Sequence, residues 1–315
     1  MSQYNLSSKM TSIYYKNSSS KSFEEIQEFK KNSWVHLTNP SANELAYLAE
    51  SLKLDLTLLT DALDQYEVPR IEIEDHDVYI YTRFAVEKEP GLFQSVPFLL
   101  INKKGYLVTL SPQPLPFMGN ILSSKRQTTV QQIRLMIYIF SQVNLTYSQR
   151  LISISKSLRT VLTDTIKITN KDIIQFINLE NMLYDFISSL TRIEAGYTNF
   201  TKQTGIRFKE PEADAIDDLR LEAGQLMQIC KDNIRTVVNF REAYNTILTN
   251  NLNRVIKFFT ALTVIITIPN IIGSFFGMNV LLPFAQHPLA FGFIILFALI
   301  TSGALAFLFI KKDWM

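Results

Sequence analysis

The sequence predicts a membrane protein in which an α/β domain, residues 1–127, is followed by long helices over residues 128–253 and by two transmembrane helices. Three observations support this prediction. No Asp, Glu, Lys or Arg occurs from Phe258 to Ile310, although the preceding part of the chain is rich in charge. Runs of β-branched and aromatic residues, which are typical of strands, lie before residue 112. From about Thr128 to Lys257 the apolar residues recur with helical spacing.

The first elements of the α/β domain are predicted over residues 33–54 as a strand, a turn and a helix. Asn39-Pro40 marks the turn. Ser41 and Glu44 have the spacing of a capping box, in which each side chain accepts a hydrogen bond from the other residue's backbone N–H. The Ser- and Lys-rich patch at residues 17–22 is predicted to be a loop.

Further strands are predicted at residues 78–86, VYIYTRFAV, and at residues 98–111, FLLINKKGYLVTLS. The second segment contains Lys103-Lys104-Gly105, which predicts the turn of a hairpin. No strand is predicted after it. The helical region that follows is predicted to be interrupted near Ile168–Lys171 and at Gly205–Pro211, where helix breakers and polar residues cluster.

Two segments are predicted to cross the membrane, over residues 254–276 and 288–310. The uncharged core of the first, Phe258–Phe276, has the length that a helix needs to cross about 30 Å of hydrocarbon at about 1.5 Å per residue. The alternative is a pair of buried helices in a soluble protein, but such helices normally carry charge on one face. The sequence therefore favours two transmembrane helices joined by an outer loop over residues 277–287.

The charges that flank these segments predict their orientation. Arg254 and Lys257 lie at the start of the first segment, and the basic tail, residues 311–315, begins with two lysines. The loop 277–287 has no Asp, Glu, Lys or Arg. By the positive-inside bias, both termini are cytoplasmic and the protein is a multi-pass protein of the plasma membrane. Cys230 then lies in the reducing cytosol, where we expect a structural thiol.

Several functional classes lack their sequence signatures. The chain contains neither the phosphate-binding pattern G-x-x-x-x-G-K-[ST] nor the zinc pattern H-E-x-x-H, and His36, His76 and His287 are far apart in sequence. ATP-driven pumping is therefore not expected, and the protein is not expected to be an enzyme. The net charge of +2 gives no nucleic-acid footprint.

A polar seam follows one side of the first predicted transmembrane helix, in alternating steps of four and three residues. Its members are Thr249, Asn253, Ile256, Thr260, Thr263, Thr267, Asn270, Ser274 and Gly277. Small hydroxyl residues can also serve only to pack helices closely, and that alternative stays open. Asn270 in mid-membrane is costly if it faces lipid, which favours a polar path. Two helices cannot enclose such a path, so several subunits would have to build it around an axis.

Three segments carry a resemblance to a known family. FGMN, residues 276–279, follows the first span with Pro269 upstream, and the chain ends with Lys-Lys-x-Trp. The stretch WVHLTNPSANELAYLAE and the stretch LLTDALDQYEVPRIE, residues 58–72, add to the pattern. Together they resemble the CorA family of magnesium channels over nearly the whole chain. The resemblance implies an α+β cytoplasmic domain with an α/β/α sandwich fold, long stalk helices and a homopentamer in the lipid bilayer.

The resemblance also implies roles for single residues. Gly277, Met278 and Asn279 correspond to the selectivity filter, where five Asn carbonyl groups would receive the hydrated ion, Gly277 would permit the turn and Met278 would pack the ring. The pore-lining positions fall on Asn253, Ile256, Phe259, Thr263, Thr267, Asn270 and Ser274, to which the seam adds Thr260. Ile256 and Phe259 would narrow the cytoplasmic end.

A regulatory site is implied at Asp61 and Asp218, carboxylates of neighbouring subunits that cytoplasmic Mg2+ would bridge to close the pore. The transported ion is expected to be Mg2+, with Co2+, Ni2+ or Zn2+ as alternatives. Phe276 stands where the family has Tyr, the outer loop lacks acidic residues, and the stalk from about Gln131 to Lys167 is basic or neutral. These departures keep two alternatives open, a Zn2+, Co2+ or Ni2+ transporter of the same superfamily and a non-conducting regulatory or sensor oligomer.

Overall fold

The structure is a computed structural model that describes residues 11–163, 170–278, 288–312 and 314, without the side chains of 160–163 and 170–173. It contains two compact units, Met1–Val238 and Asn239–Met315.

The first unit contains a seven-stranded sheet. Its strands are β1 (Thr11–Tyr15), β2 (Glu24–Ile26), β3 (Ser33–Thr38), β4 (Arg70–Glu74), β5 (Asp77–Glu89), β6 (Leu92–Lys103) and β7 (Tyr106–Ser111). They are arranged in the order β2-β1-β3-β7-β6-β5-β4. Only β3 and β7 pair in parallel, and all other neighbours are antiparallel. Within the sheet, the long strands β5 and β6 hold most of the buried apolar residues.

The predicted strands β3, β5 and the β6–β7 hairpin are confirmed. Lys103 pairs with Tyr106, so that Lys104 and Gly105 form a two-residue turn, and Gly105 has a φ of 91° that favours glycine. The strands β1, β2 and β4 were not predicted. They are short, and β2 and β4 lie at the two edges of the sheet, where exposed polar residues replace an apolar run.

One face of the sheet is covered by the helices α1 (Ala42–Leu52) and α2 (Leu56–Asp61). The predicted capping box of α1 is present: the backbone N–H of Ser41 donates to Glu44 Oε2 at 2.9 Å, and the backbone N–H of Glu44 donates to Ser41 Oγ at 3.4 Å. The helix turns its leucines toward the sheet. The resulting core includes Leu45, Leu48, Leu52, Leu59, Val35, Leu37, Tyr79, Tyr81, Leu99 and Ile101.

The opposite face of the sheet is covered by two longer helices, α4 (Gln132–Thr163) and α5 (Asn170–Gln203). The short helix α3 (Met118–Ser123) precedes them, and α6 (Glu210–Phe276) follows. The backbone N–H of Ala85 in β5 donates to Thr146 Oγ1 of α4 at 2.9 Å, and that of Ser95 in β6 donates to Asp185 Oδ2 of α5 at 2.9 Å. With helices on both faces of the sheet, the predicted α/β/α sandwich is confirmed.

A buried hydrogen-bond network joins α4, α5 and the first turns of α6. Asn144 is fully buried; its Nδ2 donates to Leu219 O and to Glu222 Oε2, both at 3.0 Å. Its Oδ1 accepts from the hydroxyl of Tyr197 at 2.9 Å. Because burying a polar group without a partner is costly, this saturated amide fixes the register of the three helices against one another.

The observed breaks between helices agree with the sequence where they are described. The chain leaves helical structure between Gln203 and Glu210, as predicted for Gly205–Pro211, and Pro211 occupies the first turn of α6, which has no use for its N–H. The predicted interruption at Ile168–Lys171 lies partly outside the described residues, and α5 begins at Asn170.

His36 makes the stability of the first unit depend on pH. Its Nδ1 lies 2.9 Å from Thr109 Oγ1 and its Nε2 lies 2.9 Å from Thr38 Oγ1. Burial lowers the pKa of His36 to about 4, against a smaller raising effect from a hydrogen bond with the Thr109 backbone. The unfolded imidazole therefore binds a proton between about pH 6.5 and pH 4 that the folded one does not bind.

We expect the free energy of unfolding to fall by about 3 kcal/mol, through this group alone, as the pH is lowered through that window. Thermal unfolding of the wild type and of His36→Gln, measured from pH 7.5 to pH 4, checks this, because the amide carries a donor and an acceptor but does not titrate. The matched control is His76→Asn in the exposed turn between β4 and β5. Equal slopes for the wild type and His36→Gln would contradict the assignment.

The second unit consists of the C-terminal part of α6 and the helix α7 (Ala290–Lys311). Both helices are long and apolar enough to cross a membrane, by length and composition. The helix α6 runs through Pro269 without a break and ends at Phe276. Ala261 and Ala298 are buried, and Ser302 Oγ of α7 donates to Ile265 O of α6 at 3.3 Å. Small residues of this kind let two helices approach closely.

Candidate functional site

All the predicted pore-lining residues lie on α6 with exposed side chains. They are Asn253, Ile256, Phe259, Thr260, Thr263, Thr267, Asn270 and Ser274. The two apolar members near Lys257, Ile256 and Phe259, are 52% and 59% exposed. Both side chains are therefore uncovered in a single chain, where further copies could cover them.

The polar seam lies on the side of α6 away from α7. The less exposed positions of this part of α6 are Ala261, Leu262, Ile265, Ile268 and Ile272, and Ile265 is the residue whose carbonyl oxygen accepts from α7. At 3.6 residues per turn, Thr263 and Thr267 are each separated from Ile265 by about 160° around the helix. The intrachain partner α7 therefore leaves the seam uncovered.

The threonine hydroxyls of the seam present acceptor oxygens outward. Thr263 Oγ1 donates to Phe259 O at 2.8 Å, and Thr267 Oγ1 donates to Thr263 O at 2.7 Å. Because each hydroxyl proton is used within the helix, the lone pairs of the oxygen remain as acceptors for an external donor. A hydrated cation presents donors of this kind, since the protons of its water shell point outward.

Ser302 supplies a donor that α6 lacks. Pro269 has no backbone N–H, so the helical hydrogen bond to the carbonyl oxygen four residues earlier, that of Ile265, cannot form. The Ser302 hydroxyl of α7 donates to that oxygen. In hydrocarbon an unpaired carbonyl group is costly, and a serine from a neighbouring helix is one way to satisfy it. Ser302 was not predicted from the sequence, although a proline within a predicted span indicates that a donor is needed.

The predicted filter is described only in part, because Asn279 lies outside the described residues. The N–H of Gly277 donates to Gly273 O at 3.0 Å and to Ser274 O at 3.2 Å, which closes the end of α6. Gly277 does not adopt a left-handed φ, and an added Cβ would lie 3.5 Å from Ser274 O, an ordinary contact. The expected reason for this glycine, a special turn, is therefore not seen in the described backbone. Met278 is exposed.

The predicted regulatory carboxylate Asp61 lies at the end of α2 and has a partner within its own chain. Arg70 Nη2 in β4 forms a salt bridge with Asp61 Oδ2 at 3.2 Å, and the same guanidinium contacts Glu67 and Glu72. Arg70 belongs to the segment 58–72 that carries the family resemblance, but no role was predicted for it from the sequence. Contacts between a helix end and a distant strand edge leave no periodic signal by which they could have been found.

The second predicted regulatory residue, Asp218, is exposed on α6 and lines a surface cleft of about 600 Å3. The walls of the cleft also carry Arg126, Arg134, Glu212 and Glu222, and Arg134 Nε lies 3.5 Å from Glu212 Oε1. Within the part of the chain that the structure describes, no group of three or more His, Cys, Asp or Glu side chains is arranged to hold a metal ion. Within a single chain, Asp61 is thus paired with Arg70, whereas Asp218 lines the cleft.

The other candidate reactive groups are the cysteine and the three histidines. Cys230 is fully buried, and burial raises the pKa of its thiol to about 12, so that it stays protonated. His36 is buried in the sheet, His76 lies in an exposed turn, and His287 is outside the described residues. Cys230 and His36 are therefore shielded from solvent.

Comparison with known proteins gives a consistent family. A family model described as CorA-like Mg2+ transporter protein matches residues 29–312. The chain is 22% identical over 291 residues to the cobalt/magnesium transport protein CorA of Methanocaldococcus jannaschii, covering 90% of this chain and 91% of that protein.

Three solved structures share the fold. The complete CorA magnesium transporter of Methanocaldococcus jannaschii superposes with a TM-score of 0.87 at 16% identity, over 98% of this chain and 99% of the other. The full-length CmaX protein gives a TM-score of 0.73 at 15% identity, over 94% and 97% of the two chains. The cytoplasmic domain of ZntB from Vibrio parahaemolyticus gives 0.62 at 11% identity, over 76% and 99%.

Proposed function

This chain belongs to the CorA-like Mg2+ transporter family, and we propose that it conducts Mg2+ through a membrane pore built by five copies of the chain. The family consists of transporters rather than enzymes. The observation that carries the proposal is the exposed polar seam of α6, which lies on the side away from α7. The number five comes from the family resemblance.

The polar seam requires polar surroundings within the membrane, which further copies of α6 would supply. Asn270 and the threonines would be costly against lipid, and α7 covers the opposite side of the helix. Two helices of one chain cannot enclose a polar path, whereas symmetry-related copies of α6 around an axis can. In such a ring, Ile256 and Phe259 would form an apolar constriction that stops conduction when it loses its water.

The chemistry of the seam suits a hydrated cation. Mg2+ gives up its water shell reluctantly and is received more readily by neutral oxygen acceptors that contact the shell than by dedicated carboxylate ligands. The seam offers threonine and asparagine oxygens, and the filter would add the ring of Asn279 carbonyl groups. A membrane potential supplies about 2.3 kcal/mol per charge and per 100 mV, so that a divalent cation enters a negative-inside cell without ATP.

The same seam leaves Co2+, Ni2+ and Zn2+ as further cargo, and the relative from Methanocaldococcus jannaschii is named a cobalt/magnesium transport protein. The outer loop, residues 277–287, contains no acidic residue that would concentrate cations at the mouth. We infer that ion preference is decided within the pore. We also propose a plasma-membrane location with both termini in the cytoplasm.

Regulation is proposed at Asp61 and Asp218. A carboxylate from each of two neighbouring subunits repels the other until a divalent cation bridges them, which stabilises one arrangement of the subunits over another. The exposure of both side chains supports this proposal. Cytoplasmic Mg2+ would then close the pore, and loss of Mg2+ would release it.

A flux assay tests the proposed function against the alternative of a non-conducting sensor oligomer. Proteoliposomes are loaded with an ion-sensitive dye and given Mg2+, Co2+, Ni2+ or Zn2+ outside, with and without an imposed negative-inside potential, and empty liposomes serve as the control. We expect uptake of Mg2+ that rises with the potential. No uptake of any of these cations by correctly assembled protein would contradict conduction and favour the sensor.

A further inference from the structure

Arg70 is the common partner of three carboxylates. In the described structure its Nε contacts Glu72, its Nη1 contacts Glu67 and its Nη2 forms the salt bridge with Asp61 Oδ2 at 3.2 Å. Three negative charges thus share one positive charge. A cluster of this composition attracts additional cations, because one guanidinium cannot neutralise all three acids.

The three carboxylates that contact Arg70 differ in their exposure to solvent and in their other hydrogen bonds. Glu67 is 13% exposed, and its Oε1 also accepts from the backbone N–H of Val68 at 2.8 Å. Asp61 and Glu72 are more exposed, at 40% and 36%. The more a charge is exposed to water, the less its ion pair contributes. Glu72 lies on the same strand as Arg70 and contributes to the raised pKa of that guanidinium through its hydrogen bond, whereas Asp61 lies on a separate element, α2. Asp61 is therefore the acid that Arg70 can release to a competing cation while it keeps its other two contacts.

The position of Arg70 relative to Asp61 is fixed by Tyr81. The guanidinium carbon lies 4.0 Å from the centroid of the Tyr81 ring, and the Tyr81 hydroxyl donates to Leu58 O of α2 at 2.8 Å. Asp61 is the last residue of α2, where the partial negative charge of the helix end disfavours a carboxylate. Asp61 thus needs a positive partner, and within a single chain Arg70 supplies it.

The guanidinium stays charged throughout. Burial lowers the pKa of Arg70, but the hydrogen bond to Glu72 and the charges of Glu67 and Glu72 outweigh that effect and raise it above its ordinary value. Arg70 is therefore a permanent built-in cation, and only displacement can remove it from Asp61.

We propose that Arg70 competes with the regulatory divalent cation for Asp61 and thereby sets the cation concentration at which conduction stops. The inference rests on the proposed regulatory site. A cation that bridges Asp61 to a neighbouring subunit displaces the guanidinium, which keeps its contacts with Glu67 and Glu72. When the cation leaves, Arg70 returns to Asp61. The affinity of the regulatory site for the divalent cation is thus lowered by Arg70 of the same chain.

Two substitutions in the cluster shift the threshold in opposite directions. Arg70→Gln removes the competitor, and we expect the Mg2+ concentration for half-maximal closure to fall by about three- to tenfold. Glu72→Gln removes one of the other acids, leaves more of the guanidinium charge for Asp61 and raises that concentration by about two- to threefold. The matched control is Arg235→Gln, which removes the same charge from an exposed pair with Asp232 on α6.

Two readouts keep this inference separate from the proposed function. The first is the Mg2+ dependence of flux, and the second is the Mg2+ concentration at which full-length protein in detergent becomes resistant to chymotrypsin, which does not cleave at the substituted residues. Thermal unfolding checks that each variant is folded. If Arg70→Gln does not fold, the shift measured for Glu72→Gln tests the proposal. Opposite shifts in the protease midpoint, with none for Arg235→Gln, support the proposal.

The outcomes against the proposal are distinct. If Asp61→Asn shifts the midpoint and the folded Arg70 and Glu72 variants match the wild type, Arg70 does not compete and only this inference is overturned. If Mg2+ protects no form of the protein, or protects Asp61→Asn as it protects the wild type, the regulatory site at Asp61 is wrong and the inference falls with it. Flux that does not decrease at any Mg2+ concentration would likewise show that the regulatory site at Asp61 is wrong. Absence of flux would contradict only the proposed conduction, and the protease midpoints would then decide the inference.

Discussion

Asn279→Ala is expected to lower Mg2+ flux by about tenfold or more while the oligomer still assembles. The substitution removes the amide oxygen that would receive the hydrated ion at the outer mouth; in sequence, Asn279 is the third residue after the end of α6. The residue lies far in sequence from the buried core of the first unit, so we expect no change in folding. Flux in proteoliposomes and the elution volume of the detergent-solubilised oligomer provide the two measurements.

The control for this prediction is an amide on α6. Asn251 is exposed on α6, about 160° around the helix from the seam residues Thr249 and Asn253. Asn251→Ala removes the same chemical group and is expected to keep flux within about twofold of the wild type. Normal uptake by Asn279→Ala would remove Asn279 from the filter, and equal losses in both variants would show that the loss of an amide lowers flux regardless of its position.

The double substitution Asp61→Asn and Asp218→Asn is expected to make conduction persist at Mg2+ concentrations of about one to ten millimolar that close the parent. Neutral amides keep the size of both side chains but bind a divalent cation far more weakly than carboxylates. The measurement is flux against the Mg2+ concentration on the cytoplasmic side, in membranes where that side can be titrated.

Asp217 provides the matched control for the second prediction. It is the neighbour of Asp218 in sequence, and its Oδ1 accepts from Arg220 Nε at 2.8 Å. Asp217→Asn changes the net charge of α6 as Asp218→Asn does, and we expect it to close like the parent. Closure of the double variant at the parental Mg2+ concentration would contradict the assignment of this pair.

Local sequence signals predicted much of the fold. The capping box at Ser41 and Glu44, the two-residue turn at Lys104-Gly105 and the apolar strands around it each depend on neighbours in the chain. Such elements are predictable because their stabilising contacts are short in sequence. The strands β1, β2 and β4 were missed because pairing with distant strands, rather than their own composition, makes them part of the sheet.

The candidate site was predictable where it is periodic. The seam from Asn253 to Ser274 was found by its spacing, and the structure adds that this side is turned away from α7. Contacts between distant segments were not predictable. Nothing near Asp61 in the sequence identifies Arg70 as its partner, and Ser302 could be matched with the Ile265 carbonyl group only once the register of α6 against α7 was known.

Whether the polar seam faces water decides the central claim, and cysteine accessibility measures it most directly. Thr267→Cys places a thiol on the seam, and Ile266→Cys places one about 100° away on the same turn, also exposed in the single chain. The native Cys230 is buried with a raised pKa, so that its background reaction is small. The variants are treated in Mg2+-free medium with a positively charged thiol reagent that does not cross lipid, and Mg2+ flux is measured after the reagent is removed. This treatment is expected to block flux through Thr267→Cys and to leave flux through Ile266→Cys unchanged. Block of Ile266→Cys with no effect on Thr267→Cys, or equal effects on both, would contradict a conduction path along the seam.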